Sequence, residues 1–221
     1  MKTLNLLTRN HFMTVLAATF GLFAFSFCGC AKTQSQPAED TPETIQARQE
    51  LPGKKALVAY CSYSGNTRAV ARQIAAKLAP YTDVELFEIE TVKEYPADYK
   101  ALLKEAKKDL DSVYLPELKS LPENFETYQA VFIGSPNWYG TITPALRSFI
   151  DKADLNGKTV MPFFTHGNGG MQNMAKDSAA LLKDKGAVTL DAIAFKGNPD
   201  GAPDKDLDDW LKKLGFGEQS L

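Results

Sequence analysis

A chain of 221 residues with 44% hydrophobic residues, 24% charged residues and a formal net charge of −2 has enough apolar material for one domain with an ordinary core. The near-neutral balance speaks against a nucleic-acid-binding surface. Three cysteines and two histidines, with no cluster at metal-ligand spacing, speak against a metal site or a disulfide scaffold.

Lys2 and Arg9 precede a largely apolar stretch from Phe12 to Phe27, sixteen residues long, which suits export better than a membrane span. The Cys28-Gly29-Cys30-Ala31 sequence that follows resembles a bacterial lipoprotein signal, in which a cysteine after a small residue is lipid-modified and becomes the mature N-terminus. Cys30 is then the lipidation site, and the protein is expected in the cell envelope on the extracytoplasmic face of a membrane. An uncleaved N-terminal anchor would hold it to the same membrane. Removing residues 1–30 takes away Lys2 and Arg9 and no acid, leaving 23 basic against 27 acidic residues, a net charge of −4. Residues 31–53, rich in Thr, Gln, Pro and Glu, read as a polar tether with a root-mean-square span of roughly 25 to 30 Å if flexible. A short helix around Glu43 to Leu51 would shorten it.

The folded domain is expected over residues 54–217. An apolar strand at Ala56 to Ala59 leads through a hydroxyl-rich turn into a helix over Ala69 to Leu78, and Val84 to Glu90 reads as a second strand. Residues 91–129 form a long connection with a helix over Ala97 to Leu110, whose Leu102, Leu103, Ala106 and Leu110 share a face. Ala130 to Gly134 is a short buried strand, and Pro144 opens the helix after it. Thr159 to Phe164 gives a fourth strand interrupted by Pro162, followed by a helix over Met171 to Lys185. Ala187 to Phe195 is a fifth strand, and the last helix carries Leu207, Trp210, Leu211 and Leu214. Strand and helix alternate throughout, which implies a parallel sheet covered on both faces, with ligands bound beyond the carboxyl ends of the strands.

Three strand ends carry chemistry. In Ser62-Tyr63-Ser64-Gly65-Asn66-Thr67, hydroxyls and a glycine surround the first amides of a helix, an arrangement that seats a phosphate and also makes an ordinary N-cap. Gly134-Ser135-Pro136-Asn137-Trp138-Tyr139-Gly140 offers flat aromatic faces that suit a planar ligand, the core or a partner patch. Thr165-His166-Gly167-Asn168-Gly169-Gly170 combines polar side chains with accessible backbone.

Together these three loops resemble those of the flavodoxin family over residues 54–214. The resemblance implies an α/β three-layer sandwich with a five-stranded parallel sheet in the order 2-1-3-4-5. It further implies FMN held by Ser62, Tyr63, Ser64, Gly65, Asn66 and Thr67 at the phosphate, by Pro136, Asn137, Trp138, Tyr139 and Gly140 at the ring, and by Thr165, His166, Gly167 and Gly169 at the pyrimidine end. No residue is given a catalytic role. The implied activity is one-electron transfer by a monomer to a redox partner protein at the membrane, with the cofactor supplying the redox chemistry. The loop at 165–170 lacks the aromatic residue common in flavodoxins, and the domain is less acidic than soluble members.

Other readings compete. An FMN-dependent NAD(P)H:quinone-type oxidoreductase would need a nicotinamide pocket, which residues 91–129 could furnish. A flavodoxin-like module without cofactor would be an interaction domain. Cys61 and Arg68 have a likeness to the low-molecular-weight tyrosine phosphatases, but six residues separate them where that motif has five. Cys61 is expected to be a small buried hydrophobe and Arg68 to face solvent.

Overall fold

The computed structural model describes residues 33–197 and 201–217. The expected signal segment and Cys30 lie outside them. Seven strands form one sheet: β1 (Thr33–Gln36), β2 (Ala56–Tyr60), β3 (Val84–Glu88), β4 (Ala130–Pro136), β5 (Thr159–His166), β6 (Val188–Thr189) and β7 (Ala192–Lys196). Among the described residues six α-helices accompany it: α1 (Pro42–Glu50), α2 (Asn66–Leu78), α3 (Tyr99–Asp111), α4 (Pro144–Lys152), α5 (Met174–Asp184) and α6 (Asp204–Lys213).

The five parallel strands run β7-β5-β4-β2-β3, the expected 2-1-3-4-5 order. All five residues of β2 are buried, because both of its faces are covered. Leu57 and Ala59 point into a core with Ile133, Leu146, Phe149, Phe164 and Met174. Ala56, Val58 and Tyr60 point the other way, toward Val70, Ile74, Phe132, Leu207 and Trp210. Period-two alternation thus feeds two cores, and α2 and α6 cover one face while α4 and α5 cover the other.

The predicted fifth strand is two strands. Val188 and Thr189 pair with Thr159 and Val160, and pairing to β5 resumes only at Ile193 opposite Phe163. Pro162, which lacks a backbone donor, falls at the gap between them, so β5 runs unbroken where the sequence suggests an interruption. At that gap the Asp191 carboxylate accepts bonds from the Ala38 amide at 2.6 Å and Arg48 at 3.0 Å, while its carbonyl accepts one from the Trp210 indole at 2.9 Å.

Those contacts revise the tether. Residues 33–36 add an antiparallel strand to β7, Thr33 opposite Phe195 and Gln36 opposite Ala192. Residues 42–50 form α1, capped by Thr41 through Thr44, and Leu51 is 2% exposed among Leu78, Trp210 and Phe216. The segment from 33 to 51 is therefore part of the domain. A polar edge strand held by backbone bonds and a helix with little apolar face leave no hydrophobic pattern to read.

Candidate functional site

The turn after β2 is built around Gly65, which caps α2 in the left-handed region at φ 87°. The first helical bond runs from the Ala69 amide to the Gly65 carbonyl at 2.9 Å, so the amides of Asn66 and Thr67 precede the helical ladder and face outward from its positive end. The hydroxyls have divided duties. Ser62 Oγ accepts from the Arg68 amide at 3.2 Å, and Thr67, 1% exposed, shares its hydroxyl with Thr165 at 2.8 Å. Only Ser64 stays open, with Asn66 Nδ2 donating to it at 3.1 Å.

The loop after β4 is a tight hairpin. Trp138 and Thr141 exchange both backbone bonds at 3.0 and 3.1 Å, and the two residues between them, Tyr139 and Gly140, have φ of 52° and 86°. Asn137 ties this hairpin to the loop after β5. Its amide donates to the Thr165 carbonyl at 2.7 Å, its Nδ2 to the Gly170 carbonyl at 2.8 Å, and its Oδ1 accepts from the Gly140 amide at 2.8 Å.

Between the three loops lies a cavity of about 400 Å³. Of the predicted residues, Tyr63, Ser64, Asn66, Pro136, Asn137, Trp138, Tyr139, Thr165, His166 and Gly167 line it. Ser62, Gly65, Thr67, Gly140 and Gly169 do not. They shape its walls: Gly65 and Gly140 by their positive φ, Ser62 and Thr67 by the bonds just described, and Gly169 beside the Gln172 side chain. His166 is 7% exposed, and neither ring nitrogen has a partner among the described residues. Burial is the largest influence on its pKa and lowers it, the Lys196 charge acts in the same direction, and the Gly167 backbone beside the ring opposes them. A buried imidazole facing a cavity with both nitrogens unused is an unmet demand for a ligand's polar atoms.

The cavity's fourth wall comes from the long connection at residues 91–129. Helix α3 contributes Tyr99, Leu102, Leu103 and Ala106, with Leu102 and Ala106 buried. Two tyrosines pin the segment across the loops: Tyr63 Oη donates to the Pro96 carbonyl, and Tyr139 Oη to the Leu103 carbonyl at 3.0 Å. At its base, Val92 and Lys119 donate backbone bonds at 2.9 Å to Glu117 and Glu90, and Lys93 reaches Glu105 and the buried Asp109 at 2.6 to 2.8 Å. Tyr95 Oη adds a bond to Asp109 at 2.9 Å, and its ring meets Trp138 edge-on at 4.9 Å. The shared face of Leu102, Leu103 and Ala106 is legible as periodicity; the surface it meets is not.

A second cavity, about 330 Å³, shares Tyr63, Pro136 and Trp138 with the first and extends along residues 88–95. In its wall Arg68 grips Glu88 with two nitrogens, Nε to Oε2 at 2.9 Å and Nη2 to Oε1 at 2.5 Å. The expected solvent-facing Arg68 is thus paired, with a residue that closes the next strand. Cys61 is 7% exposed, burial pushes its thiol up to about 11, and its Sγ lies 2.9 Å from Thr143 Oγ1. A protonated, buried thiol and an arginine committed to a carboxylate do not make a phosphatase loop.

A family model described as Flavodoxin matches residues 55–213. The chain belongs to the flavodoxin family. Among solved structures, a candidate flavoprotein from Bacteroides eggerthii is 27% identical over 74% of this chain and 99% of its own, with a TM-score of 0.61. One from Bacteroides uniformis is 26% identical over 72% and 99%, also at 0.61. A flavoprotein from Lactobacillus acidophilus, solved in complex with FMN, is 22% identical over 72% and 99%, with a TM-score of 0.58, a likeness of fold. The flavodoxin-like sandwich expected from the three loops is therefore the fold of this chain, enlarged at one edge by β1.

Proposed function

We propose that the protein binds FMN in the α3-covered cavity and carries single electrons at the extracytoplasmic face of a membrane. The observation that carries the reading is the joining of an α2 N-terminus, an apolar slot and an unpartnered buried imidazole in one cavity at the carboxyl ends of β2, β4 and β5. The donor set fits the cofactor. The amides of Asn66 and Thr67 with the Ser64 hydroxyl suit a phosphomonoester, replacing its water without a lysine in the turn. Pro136, Trp138, Leu102, Leu103 and Ala106 suit a planar ring, and His166 with the Gly167 backbone suits its polar edge. When bound, FMN supplies reversible one-electron chemistry. The chain's own part is to seat the phosphate, exclude water from the ring through α3, and keep the imidazole against it.

Family membership and the FMN found in the Lactobacillus acidophilus neighbour support the cofactor. Anchoring through Cys30 after export completes the reading and rests on the sequence around that residue. Purification of the protein from membranes tests the first part: flavin absorbance bands with FMN, rather than FAD or riboflavin, in the released cofactor support it, and a colourless protein that takes up no FMN overturns it. Loss of membrane attachment in Cys30→Ser tests the second.

A second reading has one observation in its favour. The cavity beside Trp138 gives room for a second planar reactant next to the ring slot, as an NAD(P)H-dependent oxidoreductase would need. The pinned roof of α3 weighs against it.

A further inference from the structure

Strand β1 runs antiparallel to β7, so the chain enters the domain at the edge where the parallel strands end. Thr33 lies opposite Phe195, and Phe195 opposite Thr165, which lines the cofactor cavity. At the usual strand spacing, Thr33 is about 10 Å from Thr165. The three residues from Cys30 to Thr33 add at most about 11 Å. Any anchor at Cys30, acyl chain or uncleaved N-terminal segment, therefore holds the cavity within about 20 Å of the membrane surface, since the segment expected to act as a tether is folded from residue 33 onward.

The same edge has a surface suited to that position. Helix α3 turns Tyr99, Leu102, Leu103 and Ala106 toward the cavity, and its solvent-exposed flank and back bear Lys100, Lys104, Lys107 and Lys108. Lys107 pairs with Asp111 and Lys108 with Glu105, while Lys100 and Lys104 have no ion pair among the described residues. Tyr99, Tyr139 and Tyr63 ring the mouth at 67%, 52% and 42% exposure. Tyrosine is enriched at the membrane–water boundary, and surface lysines favour anionic headgroups.

Resting on the Cys30 anchor of the proposed function, we infer that the carboxyl-end edge of the sheet docks on the anionic lipid surface, with the α3 lysines on the headgroups and the mouth tyrosines at their level. Electrons then leave and enter through a face presented to the plane of the membrane.

The test uses the full chain, processed in cells and reconstituted in vesicles of phosphatidylglycerol and phosphatidylethanolamine. A spin label is placed at Lys104→Cys or, at the opposite edge of the sheet, at Tyr81→Cys, with the buried Cys61 left unlabelled. The inference expects accessibility to an aqueous nickel chelate to fall several-fold at 104 and to stay unchanged at 81. Twenty Gly and Ser residues inserted between Lys32 and Thr33, or Lys100→Glu in the same protein, should restore part of the accessibility at 104. Equal accessibility at 104 and 81 in protein that sediments with the vesicles overturns the orientation and leaves the anchor standing. Protein that carries no anchor at Cys30 and does not sediment overturns the anchor, and the orientation with it.

Discussion

At the residue scale, Gly65 and His166 decide how the cavity is formed. A Cβ on Gly65 would meet nothing within 4 Å, so the demand there comes from its φ of 87° and not from crowding. A β-branched side chain strains that backbone by about 1–2 kcal/mol, whereas Asn visits it routinely. Gly65→Val should relax the turn, misplace the amides of Asn66 and Thr67 and weaken FMN binding, and Gly65→Asn should lose much less. Quenching of FMN fluorescence on titration reads both, and Val binding as tightly as the parent removes the phosphate from this turn. His166 gives a pH signature. Its folded pKa lies below the ordinary 6.5, so below that pH the unfolded chain takes up a proton that the folded one resists. Stability of the FMN-free protein should accordingly be full above about 6.5 and decline on acidification. Denaturant melts at stepped pH, with His166→Gln flattening the decline, check the sign. The residue types of the loops and their likeness to the flavodoxin family made these two positions visible, but neither could show that Thr67 spends its hydroxyl on Thr165, or that Arg68 meets Glu88 twenty residues on. Such partners are set by neighbouring strands, not by local sequence.

At the scale of elements, the five parallel strands and the five helices from α2 onward were legible because nearly all have a buried face that imposes a period on their residues, the edge strand β3 with its half-buried Val84 and Phe87 being the exception. Elements held by other forces were less so: the helix at α1 was anticipated around Glu43 to Leu51 but its docking was not, and β1 was missed. Strand β1 is anchored by backbone bonds and by Gln34, whose Oε1 accepts from the Met171 amide at 2.5 Å, and α1 by Leu51 and the Arg48–Asp191 pair. If the segment were a free tether, Leu51→Ala would be silent. In the observed packing it removes a side chain that is 2% exposed, and should cost about 2–5 kcal/mol in urea unfolding. The same logic governs α3. Its amphipathic face was readable, but its position over the loops depends on hydroxyl-to-carbonyl bonds from Tyr63 and Tyr139. Tyr139→Phe removes one of them, a loss of about 0.5–1.5 kcal/mol. FMN should dissociate faster from this variant, with little change in the melting of the FMN-free protein, as measured by stopped-flow release into excess apoprotein.

For the molecule as a whole, the balance between carrier and reductase depends on what can approach the ring slot. Hydride transfer needs a nicotinamide stacked about 3 to 3.5 Å from the reacting ring, over an area as large as the ring itself. In this fold one side of the cavity is closed by Leu102, Leu103 and Ala106 of α3, and the wall toward the neighbouring cavity includes Trp138, braced edge-on by Tyr95. Electron exchange needs only an exposed edge, which the partly open mouth at Tyr99 and Tyr139 allows. The FMN-loaded protein should therefore oxidise NADH or NADPH negligibly, and reductive titration should proceed in two one-electron steps. Because Trp138 lines both cavities, Trp138→Ala merges them and gives a nicotinamide its best chance. This variant should bind FMN more weakly and at shifted potentials, yet acquire no turnover, since the α3 roof and the Arg68–Glu88 pair remain in place. Rapid, saturable NAD(P)H oxidation with a quinone acceptor by the unaltered protein would instead assign the second cavity to a hydride donor and make α3 the cover of an enzyme's active site.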